Sequence, residues 1–202
     1  MTKKSENKAV HQEPDQSTSR PMRADARRNI DGVLQAAKKV FASAGVDAPM
    51  RAIAEAAGVG VGTIYRHFPQ RADLIAAVFR QEIDACAQAS ASLSAQHAPG
   101  IALAKWMQRY ADFIATKRGL ATALHSGNPA FESLPAYFKQ HLRPALQSLL
   151  ESAASVHEIR ADVDPDDLLH AVASLCMPAR DEDRARRMVN LLVDGLRYGS
   201  TS

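Results

Sequence analysis

Two cysteines and one tryptophan stand in 202 residues, and aromatic side chains make up only 5% of the chain. Cys86 and Cys176 are too few for a disulfide framework. Both sit in apolar helical patterns, where a free cysteine serves as a small hydrophobe, redox sensing being the alternative. No cysteine–histidine spacing suits a metal, so no metal site is expected. Missing too is any run near the eighteen or so apolar residues that a membrane-spanning helix needs. The first residues are polar, without an apolar h-region, so a signal peptide is not expected and the cytoplasm is the expected compartment. There is no GxSxG, P-loop or HExxH, and the seven histidines show no catalytic spacing. No enzyme, catalytic residue or cofactor is therefore expected.

The chain does have the 46% apolar and 23% charged content of a globular protein. Its length suits one ordinary domain, or a small one joined to a larger one. The net charge of +3 hides an asymmetry. Residues 1–80 carry 13 Lys/Arg against 8 Asp/Glu, and residues 81–202 carry 12 against 14. A basic N-terminal half suits attraction to phosphate, though the excess is modest.

Residues 1–22 hold almost no apolar side chains and are expected to be disordered. They form either a solvated tail or a basic arm that carries Lys3, Lys4, Lys8, Arg20 and nearby Arg23 towards DNA. From Asp25 a helical pattern starts. Ile30, Val33, Leu34, Ala37 and Phe41 recur at three- and four-residue spacings, giving an amphipathic helix over Arg28–Ala44. Further helices are expected near Arg71–Ser94, Ile101–Thr116, Arg118–Leu124 and Leu134–Val156, with a kink or interruption at Pro144. Asp164-Pro165-Asp166 opens another that ends near Met177-Pro178. The last runs over Glu182–Tyr198. Nothing reads as a strand or a repeat, so the fold is expected to be all helical with about nine helices.

The most informative stretch is Met50–Gln70, MRAIAEAAGVGVGTIYRHFPQ. Ile53 and Ala57 stripe a first helix, and Gly58 ends it where a left-handed backbone favours glycine. A second helix, about Val61–Phe68, places Ile64 and Phe68 on one face. Small Ala54 lets the two helices cross closely. This is a helix-turn-helix, whose second helix enters the DNA major groove.

Together with the preceding amphipathic helix, Gly45 and the following GTIYRHFPQRADL, this stretch resembles the DNA-binding domain of TetR-type (tetracycline-repressor-like) transcriptional regulators, over roughly Ala24–Val78. The rest resembles the family only in size and helical character. The resemblance implies a homodimer that binds double-stranded operator DNA and releases it when a small-molecule effector enters the C-terminal body. The expected layout is an arm over 1–22, a DNA-binding unit over 23–70, and a ligand-binding and dimerisation body over 71–202. A transcriptional activator or dual regulator is an alternative. So is a nonspecific architectural DNA-binding protein, although that would not need some 120 residues of apolar helical body.

By that resemblance Val61, Gly62, Thr63, Tyr65 and His67 occupy DNA-contacting positions. Thr63 and Tyr65 can donate to phosphates, and His67 also looks like a phosphate contact. Arg66 can reach a guanine edge or a phosphate. Arg51 can touch base or backbone, and Arg71 stands where the family often keeps a basic residue for a phosphate. Val61 can touch a thymine methyl, and Gly62 lets backbone come close to DNA. In the body, Trp106, Met107, Tyr110, Phe113, Phe131, Tyr137 and Phe138 either line a cavity for a small apolar or aromatic ligand or fill a core. His125, His141, His170 and Asn128 are its candidate polar groups. Leu168, Leu169, Val172 and Leu175 stripe one late helix, and Met188, Val189, Leu192 and Leu196 the other. These are the natural dimer pair, although packing within the monomer explains part of both stripes.

Overall fold

The computed structural model describes residues 19–124, 126–176 and 181–198, with side chains described at 28–115, 124, 126–176, 181 and 183–198. The described residues form eight α-helices and one short 3-10 turn, with no strand. They are α1 (Ser19–Ala44), α2 (Met50–Ala57), α3 (Val61–His67), α4 (Arg71–Gln96), α5 (Pro99–Leu124), the turn Pro129–Phe131, α6 (Leu134–Ser155), α7 (Pro165–Cys176) and α8 (Glu182–Gly195).

Two expectations change, and of the kink or interruption expected at Pro144 the interruption is absent. α1 begins at Ser19, six residues before Asp25, so it takes in the end of the supposed arm; residues 1–18 lie outside the described residues. The separate helix at Arg118–Leu124 is the end of α5, because Gly119 alone costs only about 1 kcal/mol and does not stop a helix. α6 also runs uninterrupted through Pro144. Pro144 and Gln140 are both exposed, so water can satisfy the carbonyl that the proline leaves without a helical donor.

A single apolar cluster runs from Val33 in α1 to Leu196 after α8. α4 lies against both α5 and α6, while α1 packs on α2 and α4. Trp106 and Tyr110 stack at 5.7 Å between ring centroids in the middle of this core. Their polar tips are satisfied by backbone: Trp106 Nε1 donates to the Cys86 carbonyl at 2.9 Å, and the Tyr110 hydroxyl to that of Leu169 at 3.2 Å. Burial drives the assembly. Each fully buried Leu, Ile or Phe contributes about 1.5–3 kcal/mol, whereas a half-exposed pair such as Lys38–Glu82, at 2.7 Å between α1 and α4, contributes about 1 kcal/mol or less.

Helix ends follow the local chemistry. The Asp164 carboxylate accepts from the N–H groups of Asp166 and Asp167 at 2.8 and 3.1 Å, which caps α7 as its sequence requires. α5 is capped from afar, since the Glu158 carboxylate accepts from the Gly100 N–H. A Cβ at position 100 would meet that same carboxylate oxygen.

Glu158→Ala is expected to cost about 1 kcal/mol of stability through the lost cap on α5; a urea midpoint equal to that of the parent would contradict this. Burial pushes the Cys86 thiol up to about 12, so it stays protonated and unreactive at neutral pH. A thiol reagent at pH 7 should modify Cys86 only once the chain is unfolded.

Candidate nucleic-acid interface

α2 closes in a Schellman turn. Gly58 adopts φ 67°, ψ 30°, and its N–H donates to the Glu55 carbonyl at 3.1 Å. The Val59 N–H reaches back to the Ala54 carbonyl at 3.0 Å. This conformation costs a residue with a Cβ about 1–2 kcal/mol, so Gly58 fixes the angle at which the chain leaves α2. Gly60 is extended, and its carbonyl accepts from the Thr63 N–H at 2.9 Å to start α3.

Seven residues are too few to hold a helix in water without tertiary contacts. α3 is held by Ile64, fully buried, and by buried Phe68 at its end. Ala54 is buried in α2 and Ile53 is fully so. Burying the Ile64 side turns the opposite face outwards. Val61, Gly62, Tyr65, Arg66 and His67 are exposed, Thr63 is half-buried, and Arg51 is exposed at the start of α2. Arg66 and His67 lie in the last turn of α3, where the charge of Arg66 also complements the helix dipole.

Arg71 also makes contacts that the sequence pattern does not show. Its Nη1 donates to the carbonyl of Val46 at 2.8 Å and to that of Ala48, tying the first residue of α4 to the loop between α1 and α2. Those carbonyls follow the end of α1 and need a donor. Arg71 thereby holds the helices of the interface together. The Asp73 carboxylate accepts from the Gln70 N–H at 2.9 Å, fixing the turn from α3 into α4.

The body residues divide by burial. Trp106, Met107, Tyr110, Phe113 and Phe131 are buried in the core, and Tyr137, Phe138 and His141 are half-buried. His170 is exposed on α7, and His125 lies outside the described residues. Asn128 caps the 3-10 turn, accepting from the Ala130 N–H at 2.9 Å. Tyr137 and His141 meet α4 in a polar cluster whose other members the sequence does not single out. The Tyr137 hydroxyl donates to Asp84 Oδ1 at 2.7 Å, His141 Nε2 lies 3.8 Å from that oxygen, and the Tyr137 and His141 rings stack at 3.9 Å. Arg80 donates to the Ser133 hydroxyl at 2.8 Å, and its guanidinium lies 5.9 Å from the centre of the Tyr137 ring. Desolvation and then the Asp84 hydrogen bond raise the Tyr137 phenol above its ordinary pKa.

A cleft of about 660 Å³ opens elsewhere, between the second half of α6 and the segment before α7. Leu150, Ala154 and Val163 supply its apolar lining, with Arg143, Glu151 and Arg160 among its charged residues. Arg160 holds the neighbouring Asp162 carboxyl down at about 2 by a hydrogen bond. The aromatic residues singled out for ligand binding do not line this cleft.

Of the apolar stripes on α7 and α8, Leu168, Leu169, Val172, Val189 and Leu196 are buried within the single chain. Leu175, Met188 and Leu192 are half-buried and remain open to a partner. Leu191, which the stripe pattern omits, is 73% exposed.

Residues 33–78 match the family model of bacterial regulatory proteins of the tetR family. Residues 98–198 match that of the C-terminal domain of SbtR-like transcriptional regulators. A TetR transcriptional regulator from Streptomyces coelicolor superimposes with a TM-score of 0.72 at 35% identity, over 83% of this chain and 98% of that one. A TetR transcription regulatory protein from Mycobacterium vanbaalenii gives 0.69 and 34%, over 88% and 99%. An HTH-type transcriptional regulator of Staphylococcus aureus (strain USA300) is 39% identical over 64 residues, which are 31% of this chain and 35% of that relative's length.

Arg71→Met keeps an unbranched apolar stem but removes the donors to Val46 and Ala48. It is expected to cost about 1.5–3 kcal/mol, as hydrogen bonds to a charged group do. Equal thermal unfolding midpoints for the variant and the parent would contradict the positioning role.

Proposed function

The chain is a member of the TetR family of DNA-binding transcriptional regulators, and from that premise we propose that it is a repressor released from a palindromic operator by a small-molecule effector. The observation that carries this reading is the split of α3 into a face anchored by Ile64 and an exposed face bearing Val61, Gly62, Tyr65, Arg66 and His67. In this reading Thr63, Tyr65 and His67 hold phosphates and set register, while Arg66 and Arg51 reach base edges or the backbone. Residues 23–70 read DNA and residues 71–202 bind effector and partner.

One such head buries little surface, so a dimer reading two half-sites supplies the affinity. Leu191, with Leu175, Met188 and Leu192, supports placing the partner against α7 and α8. α4 couples the two functions. It touches the head through Arg71 and the body through Arg80 and Asp84. An effector that favours a body conformation with the Tyr137–Asp84 contact broken would shift α4 and change the separation of the heads. Release then depends on the effector's differential affinity for the two conformations.

The test begins with selection of bound duplexes from a random pool. The selected site should be an inverted repeat, scrambling it should weaken binding about 1,000-fold or more, and occupancy should lower transcription in a purified system. A selected site without symmetry, or a rise in transcription, would contradict the reading. In solution the protein should have twice the 21.9 kDa mass of one chain, and Leu191→Lys should shift it towards monomer. An unchanged mass for that variant would place the partner elsewhere.

A further inference from the structure

Glycine is a poor helix residue, costing about 1 kcal/mol relative to alanine. Four of the described glycines have visible internal reasons: Gly45, Gly58 and Gly127 need their positive φ, and a Cβ at Gly100 would strike Glu158. Gly62 has neither. It is exposed within α3, its φ is not in the left-handed region, and a Cβ there would meet nothing within 4 Å. Gly60, with φ −69° and ψ 142°, is just as free to carry a side chain. Gly32 is similarly open, but α1 has 26 residues over which to absorb the cost. α3 has only seven.

The bare backbone is flanked by apolar surface. Val61 is 41% and Tyr65 49% exposed, and they lie four residues apart on one face of α3. Val61 has nothing with which to form a hydrogen bond. In the major groove, the apolar group that a base edge offers is the C5-methyl of thymine.

Resting on the reading that α3 enters the groove, we propose that each operator half-site presents a thymine methyl to Val61, and that Gly62 is kept without a side chain so that the duplex can close onto the helix beside it. Val61 is then a specificity-determining residue and Gly62 a steric one. The substitution at Gly62 that the fold would favour is the one that DNA binding rejects.

The probe is the duplex selected by the full-length parent, resynthesised with each thymidine replaced in turn by deoxyuridine, which lacks only the methyl. Removing one methyl should weaken binding about fourfold at one position per half-site, and about fifteenfold when both half-sites are changed. Val61→Ala should bring that ratio close to one. Gly62→Ala should bind the parent duplex at least about tenfold more weakly while unfolding at the same or a higher temperature, which separates lost clearance from lost folding. The inference is overturned if no thymine responds, if Val61→Ala keeps the parent's ratio, or if Gly62→Ala binds as tightly as the parent. If selection enriches no sequence at all, the repressor reading fails and this inference fails with it.

Discussion

The contact on which the rest depends is the burial of Ile64. A seven-residue helix gains too little from its own hydrogen bonds to stay formed in water, so α3 exists because its inner side is sealed into the core. That anchoring decides which side chains face out, and the Gly58 turn decides the angle at which they are presented. Electrostatics is secondary here. The N-terminal half has only a modest positive excess, which can draw a duplex in but cannot orient it.

The same core joins the head to the body. α4 follows α3 after a short turn and is gripped at both stages of its length. Arg71 binds the loop after α1, and Arg80 and Asp84 bind Ser133 and Tyr137 of the body. Packed helices transmit displacement because interiors are dense and do not deform smoothly. A regulator built this way needs no contact between effector and DNA. It needs two body conformations that hold α4 differently, and an effector that prefers one of them.

Much of this was legible in the sequence where the cause is local. Gly58, Ile64, Phe68 and the Asp164-Pro165 helix start each act within a turn or two, so spacing reveals them. The positioning contacts of Arg71 were not legible because its acceptors, Val46 and Ala48, lie 25 and 23 residues earlier and leave no periodic trace. The Arg80–Ser133 and Asp84–Tyr137 pairs, each 53 residues apart, were invisible for the same reason. The stripes on α7 and α8 were seen, but an apolar stripe does not say whether it is covered by its own chain or by a partner. Trp106 and Tyr110 illustrate the same ambiguity. Rings that suit a ligand cavity also suit a core once backbone carbonyls accept from their polar tips.

On the function proposed above, α3 is anchored by one face and reads DNA with the other. This is tested most directly by methyl NMR with a soluble paramagnetic agent, comparing Ile64 and Val61 in the free protein and bound to its selected duplex. The Val61 methyls should be broadened by the agent in the free protein and shielded in the complex, while the Ile64 methyl stays shielded in both. Val61 methyls as accessible in the complex as in the free protein would contradict this reading.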